Sequence, residues 1–172
     1  MRKSAGLAAV MFAAATVFAD PAFANPTPGM EVDDETGVCT AGFAAQGPGG
    51  EYYLLTAGHC DGGDDSEWTD AGEYPLGQIT ASEYDGEYHD AAIILLEPEA
   101  GAPVGAVDGR YPVRDVLGPG QIQVGMPMCK IGTTTGETCG VVTGVDGNVV
   151  EASIFSLEGD SGSPGFVKNP DG

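Results

Sequence analysis

The chain has 172 residues, with 26 Asp plus Glu against 6 Lys plus Arg, a formal net charge of −20, 28 Gly, 12 Pro and 4 Cys. That length suits one compact unit or two small lobes, and a hydrophobic fraction of 42% is enough for a core, which argues against wholesale disorder. So few cations would be repelled by a phosphate backbone, which argues against nucleic-acid binding and against adhesion to an anionic membrane.

Arg2 and Lys3 precede an apolar run over 5–18, and Ala22-Phe23-Ala24 is a small-x-small site. This is the three-part pattern of a secretory signal peptide over residues 1–24. The run is too short to span a bilayer comfortably, so a secreted, extracellular protein is expected, with no membrane association after cleavage. The remaining residues divide by charge. Residues 25–109 hold 18 acidic side chains and no Lys or Arg, whereas from Arg110 onward 7 acidic residues accompany 4 basic ones.

Short runs leaning on Val, Ile, Tyr and Thr follow in order at 38–44, 52–56, 76–82, 91–96, 122–127, 138–145, 148–157 and 165–168. Gly, Asp and Pro clusters separate them, and Asp85-Gly86 and Asp146-Gly147 accept the positive φ of tight hairpin turns. No dozen residues sustain a helical period, so the chain reads as all-β and antiparallel, a barrel or a sandwich. The Gly- and Pro-rich stretch 98–120 coincides with the charge boundary and reads as a linker. It divides the chain into an N-terminal lobe, 25–109, and a C-terminal lobe, 110–172.

Two cysteines lie on each side of that linker. In a secreted chain they should be oxidised, and of the three possible pairings the within-lobe one, Cys39–Cys60 and Cys129–Cys139, needs no crossing. Zinc would be the rival use, but no CxxC pair is present, so no metal is expected.

Two strings carry chemistry: Thr56-Ala57-Gly58-His59-Cys60 at the end of an apolar strand, and Gly159-Asp160-Ser161-Gly162-Ser163-Pro164 in a turn. Between them, in Tyr88-His89-Asp90-Ala91-Ala92, a carboxylate immediately precedes an apolar run. A serine hydroxyl is a weak nucleophile at neutral pH. It needs an imidazole to take its proton, and the imidazole needs a buried carboxylate to hold its tautomer. His59, Asp90 and Ser161 supply these groups, and Gly159 and Gly162 let the backbone turn so that the N–H groups of Gly159 and Ser161 can point at one developing oxyanion.

These strings resemble the chymotrypsin-like serine peptidases, and especially their short secreted bacterial, streptogrisin-like branch. TAGHC and GDSGSP match that family's histidine and serine motifs, HDAAIILL its aspartate strand, and CTAGF and MCKIGTTTGETCG its bacterial cysteine segments. The likeness runs from about Gly37 to Phe166. It implies two antiparallel six-stranded β-barrels with the triad in the cleft between them, and a monomeric endopeptidase that needs no cofactor and acts on polypeptides. It also implies that Asp160 is buried by an ion pair with Lys130, so that no newly released N-terminal amine is needed.

An α/β-hydrolase is excluded because Ser163 stands where its G-x-S-x-G elbow needs Gly, and because both histidines precede Ser161. His89 reads as a loop or surface residue, since on a strand it would point away from the face of Asp90. The acidic segment 61–67 could bind calcium, but meets no regular ligand spacing and reads as a solvated loop. The aromatics Tyr52, Tyr53, Trp68, Tyr74, Tyr84 and Tyr88 read as barrel packing and rim. Residues 155–158 offer no deep carboxylate, so a preference for basic residues is not indicated. Only 11 residues follow Ser161, so the second barrel is expected to be incomplete. The alternative function is then an inactive or truncated protein of this type acting as a secreted binding module.

Overall fold

The computed structural model describes residues 25–63, 67–86 and 88–169. The signal peptide expected over 1–24 and part of the acidic segment 61–67 lie outside the described residues.

The first half of the chain forms seven strand segments: β1 (Glu31–Asp33), β2 (Val38–Thr40), β3 (Ala44–Gln46), β4 (Tyr52–Thr56), β5 (Trp68–Thr69), β6 (Pro75–Tyr84) and β7 (Asp90–Leu96). Alternation explains them: Leu54 and Thr56 of β4 and Ala92, Ile94 and Leu96 of β7 are buried, every second residue, as a pleated strand with one core face requires. The register sets Leu54 opposite Ile94 and Thr56 opposite Ala92, so the buried faces coincide. Leu54, Ile94 and Leu96 form the core of this lobe with Val32, Ala41, Trp68 and Leu76.

The segments form one antiparallel sheet in the order β2-β1-β5-β6-β7-β4-β3. Its two ends are consecutive in sequence. The expected strand over 38–44 is a single bent strand that pairs with β1 through β2 and with β4 through β3. At the bend, Ala41 N–H donates to Met30 O, and Gly42 N–H to Leu55 O. The sheet therefore closes on itself as a six-stranded barrel drawn in seven segments. Trp68 lies in the core and Tyr52 and Tyr53 are half-buried, whereas Tyr74, Tyr84 and Tyr88 are exposed on the rim.

The stretch 98–120 is more structured than its composition implies. It carries a small hairpin of β8 (Ala106–Val107) and β9 (Tyr111–Pro112), flanked by 3-10 turns at Pro98–Ala100 and Pro119–Gln121. Val104 and Asp108 donate to the carbonyls of Pro26 and Pro28, and Ala106 and Val107 are buried.

The second sheet contains β10 (Pro127–Gly132), β11 (Gly136–Asp146), β12 (Val149–Ala152) and β13 (Gly165–Phe166), in the order β12-β11-β10-β13. The described residues form a four-stranded curled sheet here, not a closed barrel. Three sequence expectations shift in this half. The run 122–127 is not a strand: Met126 N–H turns back to Gln123 O, and only Pro127 enters β10. The run 148–157 stops at Ala152. β10 itself escaped notice because Cys129, Lys130, Ile131 and Gly132 are buried in succession, which gives no alternation, and because a lysine interrupts the apolar pattern. Asp146-Gly147 does lead a tight hairpin, with Asp146 opposite Val149 and Gly147 at φ 58°, whereas Asp85-Gly86 opens the longer loop between Tyr84 and Asp90.

Candidate active site

β4 delivers the chain to a 3-10 turn, Gly58–Cys60, that carries His59 at the barrel rim. Only glycine fits at position 58, because a Cβ there would collide with the Glu83 carbonyl on β6. The Cys39–Cys60 disulfide ties the turn to β2. Asp90 is the first residue of β7. Its Oδ1 accepts the His59 backbone N–H at 2.9 Å and its Oδ2 lies 2.8 Å from His59 Nδ1. Ser161 arrives from the other half of the chain, on the turn that leads into β13, with its Oγ 2.8 Å from His59 Nε2. The three side chains expected from the sequence to act together thus form one hydrogen-bonded line.

The arrangement differs from expectation in one respect. The Asp90 side chain is 44% exposed and that of His59 39%, so the carboxylate is not buried. Asp90 starts its strand at the rim, where the aromatic neighbour of His59 is the exposed Tyr84, with ring centroids 5.8 Å apart. Beside the line runs an open groove of about 400 Å³, bordered by Phe43, Leu55 and Ala57 on one side and by Gly162, Ser163 and Pro164 on the other.

The serine turn is held on both sides. Gly162 adopts φ 85°, and a Cβ there would meet Thr40 O and Thr56 Oγ1. Thr40, fully buried on β2, donates its N–H to Ser161 O at 2.7 Å and its hydroxyl to Gly159 O at 2.8 Å. Neither the Gly159 nor the Ser161 N–H is donated to an acceptor among the described residues.

Asp160 points the opposite way, into the second lobe. Its carboxylate accepts Lys130 Nζ at 3.0 Å, the Thr135 hydroxyl at 2.7 Å, and the N–H groups of Leu157, Thr134 and Thr135 at 2.9 to 3.0 Å. Burial alone would raise its pKa, but the Leu157 and Thr135 hydrogen bonds and Lys130 outweigh burial and hold the carboxyl far below the ordinary carboxylate range. The Lys130 ammonium also donates to the Thr135 hydroxyl at 2.6 Å, so one hydroxyl accepts from the cation and donates to the anion. The Cys129–Cys139 disulfide bridges facing positions of β10 and β11 beside this network. Glu137 lies near both sulfurs, but these are already bonded to each other and are not thiolates available to a cation.

Sequence reasoning missed the threonines. Thr40, Thr56 and the run Thr133-Thr134-Thr135 all hydrogen-bond around the serine turn. The available signal was three hydroxyls in succession between two cysteines, since such side chains readily bind backbone groups in turns. His89 lies in the loop between β6 and β7, paired with Asp85 Oδ2 at 2.7 Å, and does not border the groove. Asp61 accepts Gly63 N–H within its own loop and the Ser82 hydroxyl from β6.

No family model matches the chain. Among sequence relatives, an uncharacterised protein of Mycobacterium tuberculosis is 33% identical over 183 aligned positions, covering 96% of this chain and 76% of the relative. Serine protease 2 of Streptomyces fradiae is 30% identical over 146 positions, covering 76% of this chain and 81% of that protein. Among solved structures, Nocardiopsis protease superposes with a TM-score of 0.69 at 24% identity, covering 84% of this chain and 79% of that one. A glutamic acid-specific serine protease gives 0.68 at 27% identity, with 82% and 79% coverage. Thermobifida fusca protease A gives 0.65 at 21% identity, with 82% and 77% coverage.

Proposed function

The chain belongs to the bacterial chymotrypsin-like serine proteases, and from that premise we propose that it is a secreted, monomeric endopeptidase working through Ser161, His59 and Asp90. The observation that carries the reading is the line from Asp90 Oδ2 through the imidazole to Ser161 Oγ, with both contacts at 2.8 Å. With Nδ1–H donated to Asp90, Nε2 is the acceptor for the Ser161 hydroxyl proton. Ser161 Oγ then attacks a peptide carbonyl carbon while His59 takes the proton and passes it to the leaving amine. Water, deprotonated by the same imidazole, releases the acyl group from Ser161. The Gly159 and Ser161 N–H groups receive the oxyanion in each half-reaction.

Asp160 and Lys130 serve the same reading from inside. Their 3.0 Å ion pair anchors the turn through a cation already within the chain, so activity needs no newly cleaved N-terminus. Residues 25–109 contribute His59 and Asp90, and residues 110–172 contribute Ser161, with the groove between them. Residues 1–24 act as the signal peptide, and the two disulfides suit an oxidising extracellular setting. Among the described residues no helix is long and apolar enough to cross a membrane.

Incubation with a fluorophosphonate, followed by intact mass, tests the reading. Wild-type protein is expected to gain one phosphonyl group and Ser161→Ala none. A folded wild-type protein that stays unlabelled overturns it, and retention of a partner by such a protein would favour a binding module.

A further inference from the structure

We infer that Thr134 is a positioning residue for the oxyanion site: its hydroxyl holds the Glu158–Gly159 peptide so that the Gly159 N–H faces the substrate carbonyl. The inference rests on the role proposed for Ser161.

A trans peptide is planar, with its C=O and N–H pointing in opposite directions, so whatever holds a carbonyl also aims the N–H of the next residue. Four successive carbonyls of the serine turn are held. Glu158 O accepts the Thr134 hydroxyl at 2.7 Å, and Gly159 O accepts the Thr40 hydroxyl at 2.8 Å. Asp160 O accepts Ser163 N–H at 3.1 Å, and Ser161 O accepts Thr40 N–H at 2.7 Å. The N–H groups of Gly159 and Ser161 belong to the first and third of these peptides.

The two oxyanion peptides are not held equally. The one that carries the Ser161 N–H is gripped through Asp160 O by both the N–H and the hydroxyl of Ser163. The one that carries the Gly159 N–H has a single anchor among the described residues, and it adjoins a glycine at φ 93°, the residue type least able to resist rotation of a neighbouring peptide. Thr134 is suited to the task because its own backbone is fixed. Its N–H and that of Thr135 both donate to Asp160 Oδ1, and the preceding Thr133 donates its N–H to Thr40 and its hydroxyl to Glu31. The Thr134 hydroxyl also occupies the space that any side chain at position 159 would need.

The anchor is solvent-exposed, so water can replace it energetically but cannot impose a direction. Its loss should therefore slow acyl transfer without unfolding the protein. Removing an oxyanion donor outright costs about 100- to 1,000-fold; loosening its aim is expected to cost less.

The experiment compares wild-type protein with Thr134→Val, which keeps the shape and removes the hydroxyl, and Thr134→Ser, which keeps the hydroxyl. Acylation by p-nitrophenyl acetate is followed as a burst, separating the acylation rate constant from the apparent binding constant. Thr134→Val is expected to lose about tenfold in the rate constant, with the binding constant and the urea midpoint unchanged, and Thr134→Ser is expected to restore the rate to within about twofold. A Thr134→Val rate matching wild type, or a Thr134→Ser rate as slow as Thr134→Val, overturns the inference. If fluorophosphonate fails to label wild-type Ser161, it is the proposed function that has failed. The inference is then decided by the crystal structure of Thr134→Val: a rotated Glu158–Gly159 peptide supports it and an unmoved one overturns it.

Discussion

Replacing Lys130 by methionine removes a buried charge while keeping most of the stem that packs in the second lobe. The Lys130 side chain is 10% exposed and that of Asp160 0%, so the change strands a carboxylate in the interior. Removing one partner of a buried pair typically costs about 3–5 kcal/mol. Asp160 keeps the Thr135 hydroxyl and three backbone N–H donors within 3.0 Å, which places the loss at the lower end, about 3 kcal/mol. With a urea slope of about 2 kcal/mol per molar, the unfolding midpoint should fall by about 1.5 M. Trp68, the single tryptophan and 2% exposed, reports the transition by fluorescence. Asp160→Asn should cost more than Lys130→Met, because its amide presents two donors to a cluster that is already all donors. Acid sensitivity supplies the second half of the test. The folded Asp160 carboxyl titrates well below its ordinary value of 3.8, so its contribution is complete above that value and is lost as the pH falls further. In Lys130→Met the depression is smaller, so this loss is compressed into a narrower range below 3.8. A Lys130→Met midpoint indistinguishable from wild type would refute the claim that this ion pair supports the turn.

Two further outcomes follow from the first lobe. The Cys39–Cys60 disulfide closes a separation of 21 residues, so Cys39→Ala with Cys60→Ala should cost about 3 kcal/mol in the chain-entropy model; an unchanged urea midpoint would contradict this. His89, hydrogen-bonded to Asp85, is raised above its ordinary 6.5 by that bond and by the Asp85 charge. The raised value means that the pair adds stability below about 6.5, and that this is lost as the pH rises through the folded pKa. An NMR titration should show His89 above 6.5 and returned downward by Asp85→Asn. No response to that substitution would show the contact to be absent in solution.

The all-β character was legible because alternation is a local property. In β4 and β7, every second residue from Leu54 to Thr56 and from Ala92 to Leu96 reports the core face directly. The strings around His59 and Ser161 were legible for a related reason, since each combines a reactive side chain with glycines that let the backbone bend, and Asp90 was legible as a carboxylate immediately preceding an apolar run. β10 was not legible, because its burial comes from pairing Lys130 with Asp160, 30 residues away. The bend that closes the first barrel was hidden too, because nothing in 38–44 states that its two halves pair with different strands.

The sequence by itself determined an acidic, disulfide-capable β protein with a serine, a histidine and an aspartate in suggestive contexts, since charge, composition and period need no partner to be read. Tertiary structure alone decided that Asp90 lies open at the rim, that Thr40 reaches across 119 residues to Gly159 O, and that Thr134 holds Glu158 O. The physical reason is that a side chain's type announces what it can donate or accept, whereas which backbone group it meets depends on how distant turns are brought together.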